Sequence, residues 1–344
     1  MNARQTADET ADDTVDETTD QTTDDTTAEA ARPDIRIGWA GTGRMGFALA
    51  TRLLDAGHPL AVFNRTRAKA EPLAARGAVL ADGPADLAAC DVVFTMVSGS
   101  SDFAEITIGE HGLLTGKTAP RVLVDCSTVD AEVSAQVRAV AESTGTVLLA
   151  APVSGNPRVV ASGGASFAVS GPEEAYRTVE PLLEHLGASV TYVGEGEAAR
   201  LVKICHNVLL GVLAQSLAEI TLLAEKHGVR RAAFLEFLNA SVLGSPFTRY
   251  KAPALVHLDF TPTFTTTLLR KDLDLGLAAA RRAEVPMPIA AAVHQLVQAA
   301  VGAGHGDQDF AALLLEQARA SGMVLTPEDV SVDDGLGPRP VSPQ

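Results

Sequence analysis

The stretch IGWAGTGRMG, residues 37–46, places Gly41, Gly43 and Gly46 in the spacing GxGxxG. It begins in an apolar strand pattern and opens a helical pattern that Gly57 closes. In this context the first glycine permits a tight turn, the second lets the backbone approach a pyrophosphate, and the third lets helix and strand pack closely. The stretch therefore predicts a dinucleotide site at a helix N-terminus. The residues expected to hold the cofactor there are Gly41, Thr42, Gly43, Arg44, Met45 and Gly46.

Short β-branched runs alternate with helical patterns as far as residue 194, which is typical of a parallel sheet wrapped by helices. The strand patterns are IRIGWA (35–40), PLAVFNR (59–65), DVVFTMVS (91–98), RVLVDCST (121–128), TVLLAAPVSG (146–155), ASFAVSG (165–171) and SVTYVG (189–194). Beyond them the pattern is helical throughout. We therefore predict an α/β protein, with a Rossmann-type doubly wound parallel sheet over residues 34–195 and an all-α C-terminal domain over residues 196–325.

The two ends of the chain differ in composition from the middle. Residues 1–30 hold ten acidic residues and one arginine, a net charge of −9 out of −16 for all 344 residues. This Thr/Asp-rich segment has no aromatic residue and no periodic apolar face, so burial does not offset its ordering entropy. We predict a disordered acidic tail over residues 1–33 and a loose C-terminal tail over residues 326–344.

The composition also argues against several classes of partner. No apolar run approaches the ~18 residues of a membrane span, and the N-terminus lacks a basic start and an apolar signal core. No basic cluster favours nucleic acid. Cys90, Cys126 and Cys205 form no CxxC pair, so neither a disulfide framework nor a zinc site is indicated. We expect a cytoplasmic protein with no metal, membrane or nucleic-acid partner.

The end of the second strand pattern, FNRTR (63–67), indicates which dinucleotide is bound. An NAD-binding fold normally has an acidic residue here for the ribose 2′-hydroxyl. Asn64 is neutral instead, and Arg65 and Thr66 supply a cation and a hydroxyl that suit a 2′-phosphate. NADP(H) is therefore predicted over NAD(H), and an ordinary surface role for Arg65 is the alternative. Met96 and Val97 are two further predicted cofactor contacts.

Lys203 lies among apolar neighbours in the helical pattern EAARLVKICHNVLLGVLAQSLAEI (197–220). Residues three and four apart share a face of a helix, so Lys203 shares a stripe with Asn207, Gly211 and Ala214, and the last two would leave room for a ligand. Apolar neighbours lower the pKa of a lysine toward the range in which it exchanges protons. Lys203 is therefore either a proton-exchanging group or a snorkelling side chain whose stem covers apolar surface.

Six motifs in order and at family-like spacing resemble the β-hydroxyacid dehydrogenases, which include 3-hydroxyisobutyrate dehydrogenases, tartronate semialdehyde reductases and glyoxylate/succinic semialdehyde reductases. The motifs, within about residues 35–325, are GTGRMG, FNRT, VDCST, APVSGN, GEGEAARLVKICHN and LLRKDLDLGL. The resemblance implies hydride transfer between NADPH and a small carboxylate-bearing semialdehyde or β-hydroxyacid. It also implies a homodimer or homotetramer.

The resemblance implies roles for individual residues. Lys203 matches the catalytic acid/base, and Asn207 matches a residue that holds the same substrate oxygen. The remaining matches are Ser127 and Thr128 at the nicotinamide side of the cofactor, Lys271 reaching back to the cofactor, and Ser154 with the N–H groups of Gly155 and Asn156 at the substrate carboxylate. Asn156 stands where the family usually has a glycine, which leaves the substrate open.

Three alternatives stay open. KICHN (203–207) shares the KxxHN spacing of 6-phosphogluconate dehydrogenases, so His206 raises oxidative decarboxylation; otherwise His206 is a neighbour on the side of the helix. That family's glutamate and tyrosine are replaced here by Leu210 and Gly211, which argues against it. Imine reductases share the N-terminal pattern but generally lack a lysine at position 203. A non-catalytic NADPH-binding scaffold is the third alternative, because a fold alone does not imply activity.

Overall fold

A computed structural model describes residues 35–337 of the protein. The predicted acidic tail, residues 1–33, lies outside the described residues, as do residues 338–344 at the other end.

The strands in the described part of the chain form one nine-stranded sheet. They are β1 (Ile37–Ala40), β2 (Leu60–Phe63), β3 (Val79–Leu80), β4 (Val92–Thr95), β5 (Val122–Asp125), β6 (Val147–Ala150), β7 (Val153–Ser154), β8 (Ser166–Ser170) and β9 (Ser189–Gly194). The order is β3-β2-β1-β4-β5-β6-β8-β7, with β9 beside β8. The first six strands are parallel and run outward from β1 on both sides, which leaves a crevice at the carboxyl ends of β1 and β4. The predicted Rossmann-type α/β class is confirmed.

The last three strands depart from the predicted parallel pattern. β8 is antiparallel to β6 and β7, and β9 is parallel to β8. The predicted strand 146–155 is divided between β6 and β7 at Ala151 and Pro152, and proline has no N–H for a sheet ladder. The sheet is therefore parallel as far as β6 and mixed beyond it.

Side chains from alternate strand positions enter two separate cores, one on each face of the parallel sheet. Phe94 and Val124 belong to one core together with Trp39, whereas Val93 and Leu123 belong to the other. The rings of Trp39 and Phe94 stack with their centroids 5.4 Å apart. Because both faces are buried, the strands consist of continuous apolar runs, and this is why the sequence predicts them well.

Helices cover the sheet and then form the second half of the described chain. Those associated with the sheet are α1 (Arg44–Asp55), α2 (Glu71–Ala74), α3 (Ser100–Ile108), α4 (Ala131–Ser143), α5 (Pro157–Ala161) and α6 (Glu173–Leu186). Those of the second half are α7 (Ala198–Lys226), α8 (Arg231–Ala240), α9 (Pro246–His257), α10 (Thr266–Arg282), α11 (Pro288–Ala300) and α12 (Leu313–Ala320). The all-helical C-terminal region that the sequence predicts is confirmed.

Helix α7 is long and apolar enough to cross a membrane by length and composition alone, with a mean hydropathy of 1.6 over 18 residues. The expectation that no segment approaches this limit is therefore wrong. However, 50% of that window is buried inside the protein, where α7 packs against α10, α11 and α12. Within this fold α7 is the central helix of the helical domain.

A buried ion pair joins the two halves of the chain. Arg200, in the first turn of α7, lies 2.8 Å from Asp125 at the end of β5, and the two side chains are only 1% and 0% exposed. The guanidinium also donates to the backbone oxygen of Ser127 (2.9 Å) and to the hydroxyl of Ser134 on α4 (3.0 Å). These contacts fix the start of α7 to the carboxyl edge of the sheet.

Residues 326–337 are not the loose tail that the sequence predicts. The backbone oxygen of Thr326 accepts a hydrogen bond from the Arg231 side chain (2.5 Å), and Glu328 accepts one from the Arg231 N–H (2.7 Å). Val330 and Val332 pack against the buried core of the helical domain. The sequence misses these contacts because the segment has no helix or strand periodicity. The segment is held instead by its hydrogen bonds to Arg231, whose buried guanidinium requires acceptors from the protein.

We predict that Arg200→Met destabilises the protein by roughly 3–5 kcal/mol, because the substitution leaves the buried Asp125 carboxylate without its cation. Urea unfolding followed by circular dichroism measures this free energy. Arg177→Met is the matched control, since it removes an exposed i,i+4 pair with Glu173 and should cost no more than about 0.5 kcal/mol. Equal losses of unfolding free energy in the two variants would contradict the idea that the buried pair of Arg200 matters more than an exposed one.

Candidate active site

The three glycines of the turn between β1 and α1 differ in how much space a side chain would have. Gly41 has a φ of +98°, and a Cβ there would lie 2.2 Å from the carbonyl oxygen of Met96. A Cβ on Gly46 would lie 2.0 Å from the carbonyl oxygen of Gly41. Gly43 is exposed, and a Cβ there would meet nothing within 4 Å, so the space beside it is free of protein atoms. This open cradle at the N-terminus of α1 fits a dinucleotide pyrophosphate.

The neighbours of these glycines hold the turn in place. Asn64 accepts a hydrogen bond from the N–H of the buried Thr42 (2.8 Å) and donates one to the backbone oxygen of Thr66 (2.8 Å). Arg44 donates to the backbone oxygen of Pro262 in the helical domain. The side chain of Asn64 therefore braces the glycine-rich turn against the end of β2, a role that the sequence does not reveal.

Arg65, the residue predicted to recognise a 2′-phosphate, projects into solvent at the end of β2. Its side chain is 82% exposed and forms an ion pair of 2.8 Å with Asp102 on α3. An exposed pair of this kind contributes little free energy, so it leaves the guanidinium available to a ligand phosphate.

The structure contradicts a direct contact between Ser127 and a cofactor. Ser127 is 0% exposed, and its hydroxyl donates to Asp125 (2.7 Å) and accepts from the N–H of Val97 (2.8 Å). The short Ser side chain is used to hold the loop after β4. Thr128 does line the cavity described below, and Lys271 donates to the backbone oxygen of Thr128 (3.4 Å) at the edge of the sheet. The predicted contact between Lys271 and the cofactor stays a prediction.

A cavity of about 1030 Å³ lies between the carboxyl edge of the sheet and the helical domain. It brings together both predicted catalytic residues and all three predicted substrate residues, but of the predicted cofactor contacts only Met45, Met96 and Thr128 line it. Arg65 and Ser127 are among those that do not. Its lining from the sheet half includes Met45, Met96, Thr128, Ser154, Gly155 and Asn156, and its lining from the helical half includes Lys203, His206, Asn207, Phe247, Tyr250 and Phe310.

Lys203 lies half-buried on α7 at this cavity, and its ammonium has no hydrogen-bond acceptor within residues 35–337. Burial lowers the pKa of Lys203 to about 8; Asp272 opposes this shift, and the charge of Lys271 adds to it. An amine in that range both gives and takes a proton near neutral pH. Gly211 does not leave room for a ligand as predicted, because its missing side chain lets Leu269 of α10 approach.

Asn207 is buried beside Lys203 and belongs to a chain of hydrogen bonds. Its Nδ2 donates to the carboxylate of Asp272 (2.5 Å), so its Oδ1 accepts from Nδ1 of His206 (2.9 Å). With its proton on Nδ1, a neutral His206 ring accepts at Nε2 from the Ser154 hydroxyl (3.0 Å). The amide of Asn207 thereby has a fixed orientation and one further N–H for a ligand.

The end of β7 presents backbone donors to the cavity. The side chain of Asn156 accepts from the N–H groups of Arg158 (2.9 Å) and Val159 (3.0 Å), so it caps α5 and does not face a ligand. Within the described residues, the N–H groups of Gly155 and Asn156 donate to no protein oxygen. These two N–H groups are suited to a carboxylate, as the sequence predicts. The Ser154 hydroxyl is not free to join them in this arrangement, because its proton goes to His206.

Comparison with known proteins gives the same division of the chain. Residues 36–194 match the NAD binding domain of 6-phosphogluconate dehydrogenase, and residues 196–316 match a family described as NAD-binding of NADP-dependent 3-hydroxyisobutyrate dehydrogenase. The chain is 32% identical to the 3-hydroxyisobutyrate dehydrogenase of Pseudomonas aeruginosa over 289 residues, 80% of this chain and 96% of that one. The chain belongs to the β-hydroxyacid dehydrogenase family.

Two further members of the β-hydroxyacid dehydrogenase family are similar to this one. The glyoxylate/succinic semialdehyde reductase 2 of Arabidopsis thaliana is 31% identical over 281 residues, 81% of this chain and 78% of that one. The structure of Mycobacterium tuberculosis 3-hydroxyisobutyrate dehydrogenase with L-serine is 28% identical, with a TM-score of 0.70 over 82% of this chain and 98% of that one. Family membership supports an NAD(P)-dependent oxidoreductase that acts on CH–OH groups.

Two residues of the candidate site are not apparent from the sequence. His206 is expected to be a neighbour on the side of the helix, but it lines the cavity and joins Ser154 to Asn207. The available signal is its spacing of three residues from Lys203, which puts both on one helical face. Asp272 is buried on α10, and no feature of the sequence shows that it meets Asn207.

We predict that Asp272→Asn lowers the pKa of Lys203 below about 8, because the carboxylate of Asp272 stabilises the ammonium of Lys203. Lysine-selective NMR over a pH series measures this pKa in the free protein. Asp274→Asn is the matched control on the same helix, where an exposed carboxylate is removed. If the titration of Lys203 were the same in wild type and Asp272→Asn, Asp272 would have no electrostatic role at Lys203.

Proposed function

We propose that the protein is an NADP(H)-dependent oxidoreductase that interconverts a small carboxylate-bearing semialdehyde and the corresponding β-hydroxyacid, with Lys203 as the general acid/base. The observation that carries this proposal is the position of Lys203, whose ammonium has no hydrogen-bond acceptor in the described part of the chain and whose pKa is lowered to about 8 at a cavity lined by both halves of the chain. A lysine that merely covered apolar surface would extend its ammonium into bulk solvent, whereas Lys203 lines a cavity between the two halves of the chain.

Different residues of the cavity bind the carboxylate and the reacting oxygen of such a substrate. The N–H groups of Gly155 and Asn156 bind the carboxylate, while the hydroxyl of Ser154 holds His206 beside them. Lys203 and the free N–H of Asn207 hold the oxygen of the reacting carbonyl or hydroxyl group. The nicotinamide cofactor supplies hydride in one direction and accepts it in the other. Lys203 gives its proton to the substrate oxygen during reduction and takes it back during oxidation.

The preference for NADP(H) rests on the end of β2. There, Asn64 braces the turn and carries no charge that would repel a 2′-phosphate, while Arg65 offers an exposed guanidinium. The family description that matches residues 196–316 names an NADP-dependent enzyme, which agrees with this choice. The residues that would hold the cofactor are those of the glycine-rich turn, with Arg65 and Thr66 at the 2′-phosphate and with Met96, Val97, Thr128 and Lys271 toward the nicotinamide.

The alternative of oxidative decarboxylation receives less support. His206 does lie in the cavity, as this alternative requires, and hydrogen-bonds Ser154. However, the apolar Leu210 lines the cavity one turn of α7 beyond His206, where that chemistry requires an acid. Release of CO₂ from 6-phosphogluconate would favour the alternative, and NADPH consumption with a semialdehyde favours the reductase.

We also propose that the protein associates with a second copy of itself. Helix α7 has a row of exposed large apolar side chains, and such a surface is unusual on a monomer. These side chains are Leu201, Val202, Leu209, Leu213, Ile220 and Leu223. A cytoplasmic location and the absence of nucleic-acid and membrane partners stay predictions from the sequence.

Lys203→Met tests the proposed mechanism, because methionine keeps a long apolar stem but carries no proton. We expect kcat to fall by about 10²- to 10⁴-fold with the best semialdehyde of a panel that includes glyoxylate and succinic semialdehyde. The affinity for NADPH should hardly change, since the pyrophosphate cradle lies in the other half of the chain. Initial rates and fluorescence titration of NADPH provide the two measurements.

Asn207→Ala is the comparison for Lys203→Met. It removes one hydrogen bond to the substrate oxygen and no proton, so the loss in kcat should be smaller. Circular dichroism establishes that both variants are folded. Near-normal turnover by folded Lys203→Met would mean that Lys203 only covers apolar surface.

Arg65→Ala tests the cofactor choice. We expect the KM for NADPH to rise by roughly tenfold or more while the KM for NADH stays nearly constant, because the lost charge-assisted hydrogen bond touches only the 2′-phosphate. Steady-state kinetics with both cofactors measures this difference. Arg67→Ala is the control, since Arg67 is an exposed neighbour paired with Asp82. Equal losses for NADPH and NADH would be incompatible with the assignment.

A further inference from the structure

The segment 326–337, which follows the last helix, crosses from the helical domain to the sheet domain. At its start Glu328 accepts hydrogen bonds from the N–H groups of Arg231 (2.7 Å) and Ala232 (3.3 Å), and the N–H of Glu328 donates to the backbone oxygen of Val256 (3.1 Å). At its other end Asp334 forms an ion pair with Arg158 on α5. The segment is therefore anchored to both halves of the chain.

The anchor on the sheet domain lies next to the proposed carboxylate site. α5 begins directly after Gly155 and Asn156, and Arg158 is in its first turn. Asp334 also accepts from the N–H of Leu336 (2.9 Å), so the carboxylate that holds Arg158 also shapes the backbone of the segment. The ion pair thus fixes where Leu336 lies.

Three residues of the segment, Gly335, Leu336 and Gly337, line the same 1030 Å³ cavity as Lys203. Gly335 has a φ of +66° and lies against the side chain of Arg249 on α9, the helix whose Phe247 also lines the cavity. The family match ends at residue 316, so this wall is outside the part of the chain that the family model describes. The cavity is therefore lined by residues of the sheet half, of the helical half and of this segment.

We propose that segment 326–337 is a specificity-determining wall of the substrate cavity and that Leu336 limits the length of the carboxylate-bearing aldehyde that the site accepts. This inference rests on the proposed function of the same cavity. Leu336 is the large apolar side chain among the three lining residues of the segment, and an apolar wall discriminates by size because each added methylene needs space or burial. The ion pair between Asp334 and Arg158 positions this wall.

The test compares two substrates that differ by two methylene groups, glyoxylate and succinic semialdehyde, in the full-length protein. Leu336→Ala enlarges the cavity, so kcat/KM for succinic semialdehyde relative to glyoxylate should rise by about tenfold. Leu336→Trp fills the cavity and should lower the same ratio by a similar factor. Asp334→Asn releases the wall and should change the ratio in the direction of Leu336→Ala.

Two control variants distinguish an effect of the segment on substrate selectivity from a general effect of substitution on stability. Val324→Ala trims an exposed apolar side chain just before the segment, and Asp329→Asn removes an exposed carboxylate within it; neither residue lines the cavity. Both controls should keep the wild-type ratio and melting temperature. A wild-type ratio in both Leu336 variants would overturn the proposal, even if one of them were less stable.

Calorimetric titration of the same two aldehydes separates this proposal from the proposed function. If wild type binds the aldehydes but reduces neither, the reductase assignment fails, while a change in relative affinity in the Leu336 variants still supports the wall. If wild type binds neither aldehyde, both proposals fail. If wild type reduces both aldehydes and the Leu336 variants keep the wild-type ratio of kcat/KM values, only the proposed role of Leu336 is contradicted.

Discussion

The buried ion pair between Arg200 and Asp125 is the contact on which the geometry of the site depends. Arg200 also donates to the backbone oxygen of Ser127, and the Ser127 hydroxyl in turn accepts from the N–H of Val97. The same guanidinium therefore fixes two loops at the carboxyl edge of the sheet. Lys203 follows three residues later on α7, so its distance from that edge is set by one turn of helix. A buried ion pair is weak evidence for net stabilisation, because the cost of desolvating both charges opposes their attraction. We therefore interpret this pair as the contact that positions the start of α7 against the sheet.

Two opposing effects determine the protonation of Lys203. Burial has the largest influence and favours the neutral amine, as does the nearby charge of Lys271, whereas the carboxylate of Asp272 favours the ammonium; the pKa is lowered to about 8. Asp272 is itself buried and is held by Nδ2 of Asn207. In the proposed mechanism, the residue that holds the substrate oxygen thus also orients the carboxylate that raises the pKa of the proton donor. Because both functions belong to the same side-chain amide, we expect a substitution at Asn207 to affect both substrate binding and the acidity of Lys203.

The sequence predicts the parts of this molecule that depend on local patterns. The glycine spacing at residues 41–46, the apolar strands and the stripe that pairs Lys203 with Asn207 are all visible in it. Long-range partners are not visible. Ser127 has the right position in the sequence for a cofactor contact, but its side chain is buried against Asp125 and Val97.

The same limit applies to the C-terminal segment, whose lack of periodicity suggests a loose tail. Its order comes from partners about one hundred or more residues away, among them Arg231 and Arg158. The antiparallel pairing of β8 is likewise a property of the sheet and not of the run ASFAVSG itself. In each case an ordered segment is defined by what it contacts, and a single sequence does not record those contacts.

The charge of the site differs from the charge of the chain. The net charge of −16 would repel an anionic substrate, but residues 1–30 hold −9 of it, and at physiological ionic strength charges beyond about 8 Å are largely screened. Close to the cavity, Lys271 lies 3.5 Å from Asp272, and Arg158 is paired with Asp334. The ammonium of Lys203 has no such direct partner within the described residues. A substrate carboxylate bound nearby would supply the missing negative charge and raise the pKa of Lys203. Binding of the substrate would therefore favour the protonated lysine that reduction requires, and departure of the product would return the pKa to its lower value.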